Sequence, residues 1–213
     1  MAAAVNRSRY TTVAITLHWV IAAAILVQIG LGLWMTQAIK QPGQQTQAFE
    51  AFQLHKSIGL TVLVLSLVRL GWRLTHQAPP LPKGMKPWEK RLAHAVHWLF
   101  YGLMLALPLS GWLYVSTGWS HAFQRFFSAK TIWFDLLEIP HLPFIADLGE
   151  AARRTLGEAA IETHEALAFA TLGLLALHVG AALKHTFLEG EDVLYRMAPF
   201  GRRGPRPAEG ETR

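Results

Sequence analysis

Cysteine is absent from the chain. That excludes disulfides, thiolate metal sites, iron–sulfur clusters and the C-x-x-C-H attachment of c-type haem. Charge is scarce too: Asp, Glu, Lys and Arg make up 16% of 213 residues, against about 25% in ordinary soluble domains. There is no G-x-S-x-G, no H-E-x-x-H and no phosphate-cradling glycine loop, so the sequence offers no nucleophile–base pair or nucleotide motif. Before the first apolar run stand only about twelve residues, and no cleavage-like run of small residues follows it, which predicts that no signal peptide is removed.

What remains is apolar and arranged in runs. Hydrophobic residues make up 52% of the chain and its mean hydropathy is +0.24. Four stretches are long enough to cross a bilayer core of about 30 Å, over about 13–35, 54–72, 92–117 and 162–186. Pro108 predicts a kink in the third. The intervals read as connections: a Gln-rich one at 36–53, a basic, Pro-rich one at 76–91, and a long one at 118–162 whose last part, about 145–161, has helical spacing and can run on into the fourth span. We expect one four-span domain over 1–197 and a basic, disordered tail over 198–213. The fold class is an all-α integral membrane protein, a four-transmembrane-helix bundle in contact with lipid.

The cations give the bundle a direction. Twelve Lys and Arg residues lie before the first span, in the second connection and in the tail, against six on the other side. By the positive-inside tendency both termini are cytoplasmic. The net charge of +6 therefore follows from topology and does not signal a nucleic-acid partner. Eight Trp residues suit membrane interfaces.

Ligand-capable groups inside spans are costly and are functional candidates by default. The spans hold His18, His55, His94, His97, His164, His178 and His185. His164 and His178 are fourteen residues apart on one span, which is close to four turns, so both leave one face about 21 Å apart along the axis. Counting depth from each membrane face, His18 meets His178 near the inner side and His55 meets His164 near the outer side. One turn after each of these four stands a small residue, Ala22, Gly59, Ala168 and Ala182, leaving room for a flat macrocycle. The same offset from His94, His97 and His185 holds Trp98, Tyr101 and Glu189.

Paired imidazoles without carboxylate or thiolate partners suit low-spin haem iron, whose porphyrin supplies the other four nitrogens. Zinc wants four ligands, or three plus water, and the two pairs are too far apart to pool. For a single membrane histidine the plain alternative is a hydrogen bond between helices; four histidines paired by depth fit two non-covalent b-type haems better. The remaining candidates each have a plain structural alternative. Arg69 and Arg73, one turn apart at the inner end of the second span, suit haem propionates or act as snorkelling anchors. His94 and His97 suit propionates or a proton relay to quinone, or are solvated interfacial residues. Lys56 suits a haem propionate or quinone contact; with Arg125 and Lys130 it can make the outer mouth positive and draw in a small anion, or it belongs to a solvated loop.

The segments ITLHWV (15–20), QLHKSIGL (53–60), RLAHAVHWLFYGLMLALPLSGW (91–112) and THEALAFATLGLLALHVGAALKH (163–185) resemble the bacterial cytochrome b561 family. The resemblance implies a four-helix membrane bundle of the bacterial inner membrane that carries two b-type haems and exchanges electrons with the quinone pool. Carried over by motif, it makes His18, His55, His164 and His178 the iron ligands. It also implies ubiquinone as a redox partner, with superoxide or a soluble redox protein as the other. Members of the broad family serve as cytochrome b subunits of hydrogenases and formate dehydrogenases, and similar four-span members oxidise superoxide. Three functions follow as expectations: an oxidoreductase passing electrons from a small donor to quinone, a membrane anchor and conduit for a soluble enzyme, and a haem-free metal-binding or transport protein. Against the third, the spans hold almost no carboxylates to share a divalent ion.

Overall fold

The structure is a computed structural model that describes residues 9–127 and 129–199. The expected tail lies mostly outside these residues. Four long helices dominate: α1 (Thr12–Ala38), α2 (Gln45–Thr75), α3 (Pro87–Thr117) and α5 (Glu150–Leu183). All four are long and apolar enough to cross a membrane. Large apolar side chains such as Leu177 (70% exposed) and Leu26 (59% exposed) point outward from them, as lipid-facing residues do when only the backbone must be satisfied internally.

Local chemistry sets the helix ends. Thr11 Oγ1 accepts from the Ala14 N–H at 3.3 Å and starts α1. Pro87 occupies the first turn of α3, where its missing N–H is not needed. Glu89 in the same turn reaches back to the Lys86 N–H at 2.9 Å. Gly118 ends α3 in the left-handed conformation, φ +68°.

Two boundaries differ from expectation, those of α2 and α3. α2 starts at Gln45, because the polar stretch before the apolar run is rich in helix-forming Gln, Ala and Glu. α3 starts at Pro87, inside the stretch expected to be loop, and runs through Pro108. α5 starts at Glu150 and continues into the fourth span, then ends in one π-helical turn, Lys184–Leu188. Its 34 residues make it about 51 Å long, so its first turns project past the bilayer core.

The long connection is also more ordered than an all-α reading foresees. It holds two antiparallel hairpins, β1 (Trp119–Ser120) with β2 (Arg125–Phe126) and β3 (Thr131–Trp133) with β4 (Leu137–Ile139), followed by the short α4 (Pro143–Ala146). Side chains of α2 anchor the second hairpin. Ser57 Oγ accepts from the Phe134 N–H at 3.0 Å, and Trp133 Nε1 donates to Thr61 Oγ1 at 3.0 Å. The first hairpin rests on α5 at Gly157, where a Cβ would lie 2.7 Å from Thr117 Oγ1 and 3.0 Å from Trp119 Cβ. At the opposite end, α6 (Val193–Met197) straps the start of α1: Trp19 Nε1 donates to Met197 O at 2.6 Å, and Arg9 Nε to Tyr195 O at 3.1 Å. We refer to these as the hairpin end and the terminal end.

The packing order explains where an interior space arises. α1 packs on α2, α2 on α3 and α3 on α5, whereas neither α1 nor α2 packs closely on α5. Ile21, Val62 and Met104 form the buried cluster that joins α1, α2 and α3. Ile21 follows His18 by one turn and Val62 follows His55 by two turns, so this apolar layer lies between the two histidine levels.

Candidate functional site: two histidine pairs across the bundle

Each pair expected from depth is brought together. His55 on α2 and His164 on α5 have ring centres 6.1 Å apart with planes at 71°. His18 on α1 and His178 on α5 are 6.4 Å apart with planes at 66°. A metal–imidazole nitrogen bond is about 2.0–2.1 Å, and the ring centre sits about 1.1 Å behind the nitrogen, so two axial imidazoles on one iron have centres about 6.3 Å apart. Both pairs match that spacing. Both also bridge α5 to helices that do not pack closely against it.

The hairpin-end pair faces a cavity of about 430 Å³, within the range of cofactor sites. Its wall is apolar toward mid-bundle, at Ile25, Leu103 and Met104, and polar toward the hairpin end, at Lys40, Lys56 and Thr131. His164 Nδ1 lies 2.9 Å from Leu107 O and 3.1 Å from Ser110 Oγ. A carbonyl can only accept, so Nδ1 carries the proton and the Nε2 lone pair is left for a metal. His55 Nδ1 and Gln28 Oε1 are buried without a protein hydrogen-bond partner, while Gln28 Nε2 donates to His55 O at 2.9 Å. Glycines keep the rings in place: a Cβ at Gly111 would lie 3.3 Å from His164 Cε1, and one at Gly32 would lie 3.5 Å from His55 Cε1. The donor set and this cradle fit an axially ligated porphyrin.

The terminal-end pair has a third imidazole beside it. His97 on α3 is 5.9 Å from His178, and Phe100 is 5.3 Å from it. Distance does not separate His97 from His18. Packing does: α3 and α5 are direct neighbours, so His97 meets His178 as adjacent side chains do, whereas His18 comes from a helix that does not pack closely on α5.

The other candidates are more dispersed. Arg69 Nη1 donates to Ala14 O at 3.1 Å, one turn before His18, and lines a small cavity with Arg73, Tyr10 and Trp72. His94 turns back to Lys90 O on its own helix at 2.7 Å. His185 bonds Glu189 at 2.5 Å, the same residue that set it apart in the sequence. Lys184 bridges Glu89 and Glu189 there and holds the Glu189 carboxyl below the usual range, while burial pushes Glu191 up. At the hairpin end Lys130 pairs with Glu138 at 2.8 Å, so its charge is neutralised locally. Lys56 is instead buried, donating to Lys130 O at 2.9 Å with Phe52 5.0 Å from its ammonium.

Several contributors escaped the sequence reading. Gln28 and Ser110 are polar residues inside apolar spans, a signal that was available. The Leu107 carbonyl, Gly111 and Thr131 carry no such mark. Likewise His76, expected in a loop, ends α2 stacked on Trp72 at 3.7 Å.

Comparison with known proteins identifies a family. Residues 9–200 match the prokaryotic cytochrome b561 family. Cytochrome b561 homolog 2 of Escherichia coli K12 is 33% identical over 190 residues, covering 89% of this chain and 90% of that one. A probable superoxide oxidase CybB of Yersinia pestis is 27% identical over 193 residues, covering 90% and 96%. Cytochrome b562 of Cereibacter sphaeroides is 39% identical over 103 residues, covering 48% and 63%. With four apolar helices and a match over nearly its whole length, the chain belongs to the prokaryotic cytochrome b561 family, multi-pass electron-transfer proteins of the bacterial inner membrane that carry b-type haem.

Proposed function

We propose that the chain holds two b-type haems, one clamped by His18 and His178 and the other by His55 and His164, and passes electrons from superoxide to ubiquinone. The observation that carries this reading is the pair of ring-centre distances, 6.4 and 6.1 Å, at two levels of one bundle. When bound, b-type haem supplies a one-electron carrier that cycles between ferric and ferrous iron. The chain's own residues do the rest. Two imidazoles would hold the iron at each level and leave it no open position for dioxygen, which favours electron transfer. Helix α5 contributes one ligand to each level and so fixes their separation, about 21 Å along the axis. The apolar layer of Ile21, Val62 and Met104 keeps water out between them.

Both termini are cytoplasmic in this reading, supported by the twelve-to-six distribution of Lys and Arg. The hairpin end then faces the outside, where superoxide would give up one electron and leave as dioxygen. Two such electrons with two protons convert ubiquinone to ubiquinol. The superoxide assignment draws on the likeness to the probable superoxide oxidase of Yersinia pestis.

A second reading is a cytochrome b subunit of a multisubunit dehydrogenase or reductase. It draws on apolar side chains exposed in the hairpin connection, Leu136 at 78% and Phe144 at 62%. Stopped-flow mixing of the purified oxidised protein with superoxide, with and without ubiquinone, separates the two. Rapid haem reduction followed by ubiquinol formation is expected. Haems that ignore superoxide yet are reduced by ubiquinol would favour the subunit reading.

A further inference from the structure

Lys56 is an unusual lysine. Only 9% of it is exposed, it lies beside His55, and among the described residues it has no carboxylate within ion-pair distance. The hydrogen bond its ammonium makes is to Lys130 O at 2.9 Å, which leaves two of its three donors for another acceptor. A buried cation without an anion is costly. Thr131, one residue after that carbonyl, is 2% exposed, and its Oγ1 is buried without a partner. Both residues line the polar end of the cavity faced by His55 and His164.

We infer that Lys56 and Thr131 together form a carboxylate-binding site for a propionate of the hairpin-end haem. This rests on the proposed His55–His164 ligation. The cavity wall is apolar toward mid-bundle and polar at this end, which matches a macrocycle whose two carboxylates share one edge. Lys56 follows a ligand on the same helix and lines the same cavity, which puts its ammonium at that polar end. The second hairpin sets the geometry: its Lys130 carbonyl aims the ammonium, and its Thr131 supplies the neutral donor. Lys56 is thus a positioning residue, and its positive charge favours the reduced, less positive haem.

Redox titration and resonance Raman spectra of the full chain with haem bound test this, using Lys56→Gln, Lys56→Arg and Thr131→Val. Lys56→Gln should lower the midpoint potential of the hairpin-end haem, shift its propionate bending band and leave the other haem unchanged. Thr131→Val should shift the same haem in the same direction by less, and Lys56→Arg should restore most of the wild-type value. If Lys56→Gln loses that haem altogether, the Thr131→Val shift with Lys56→Arg rescue supports the site, and an unshifted Thr131→Val overturns it. Unchanged potentials and propionate bands in Lys56→Gln also overturn it, including when superoxide reduces the variant more slowly, because Lys56 would then be docking a diffusing anion. A wild-type protein without a hairpin-end haem removes the ligation proposal and this one together, and shows as a missing spectral component before any variant is made.

Discussion

His164 donates its Nδ1–H to the carbonyl oxygen of Leu107 across the α3–α5 interface, at 2.9 Å. The contact joins a candidate ligand to the helix that packs beside it, four residues before Gly111. Gly111 permits the approach: any Cβ there would stand 3.3 Å from His164 Cε1. A hydrogen bond of this kind fixes the tautomer and makes the other nitrogen a stronger donor to a metal.

Ser110 adds a second acceptor, 3.1 Å from the same Nδ1, while its own hydroxyl donates to Leu107 O at 2.8 Å. Ser110→Ala removes that acceptor but leaves the carbonyl. His164 then becomes a slightly weaker donor, and the ferric state loses more than the ferrous state. A small rise in the midpoint potential of one haem only is the expected result of a redox titration.

The ring planes within each pair are steeply crossed, at 71° for His55 and His164 and 66° for His18 and His178. Parallel axial rings raise the same iron dπ orbital, whereas crossed rings raise both and leave them nearly degenerate. Low-temperature electron paramagnetic resonance of the oxidised protein should therefore show two highly anisotropic low-spin signals. A well-split rhombic signal from either haem would contradict the crossed arrangement.

At Gly111 the space is measurable by substitution. Gly111→Val puts a branched side chain where one Cβ already crowds the His164 ring. Overpacking of this kind costs about 1–3 kcal/mol, and here it acts on a ligand. The variant should keep the His18–His178 haem and lose most of the other, read as haem content falling toward half.

How much of this was legible in the sequence depended on range. The apolar runs mark four spans because a bilayer imposes length and composition locally. The fourteen-residue interval between His164 and His178 puts both on one face because helix geometry is regular. Hydropathy does not mark polar helical turns outside the apolar runs: Gln45 to Gln53 is helix by propensity alone, and Pro87 opens a helix within a Pro-rich stretch because proline suits a first turn. The second hairpin was not legible at all. Its strands are three residues each, and their partners, Ser57 and Thr61, lie more than seventy residues away. Nor does spacing distinguish His18 from His97 beside His178, because that depends on which helices pack directly.

Ser57 holds the hairpin to α2 by accepting from the Phe134 N–H and donating to Gln53 O at 3.1 Å. Ser57→Ala leaves that backbone N–H without a partner, at a cost of about 1–3 kcal/mol. Hydrogen exchange should speed up in 131–139 while α3 and α5 keep their protection. If Lys56 is aimed by the same hairpin, the hairpin-end haem should also move to lower potential.

Two histidine pairs, and not other combinations of the histidines in the spans, are expected to hold two haems. The haem-to-protein ratio and reduced-minus-oxidised spectrum of wild type and of His18→Ala, His55→Ala, His97→Ala, His164→Ala and His178→Ala distinguish the combinations. Two b-type haems in wild type are predicted, with His18→Ala and His178→Ala losing one spectral component, His55→Ala and His164→Ala losing the other, and His97→Ala keeping both. A wild-type protein with one haem, or loss of the His178 component in His97→Ala with its retention in His18→Ala, would rule this pairing out.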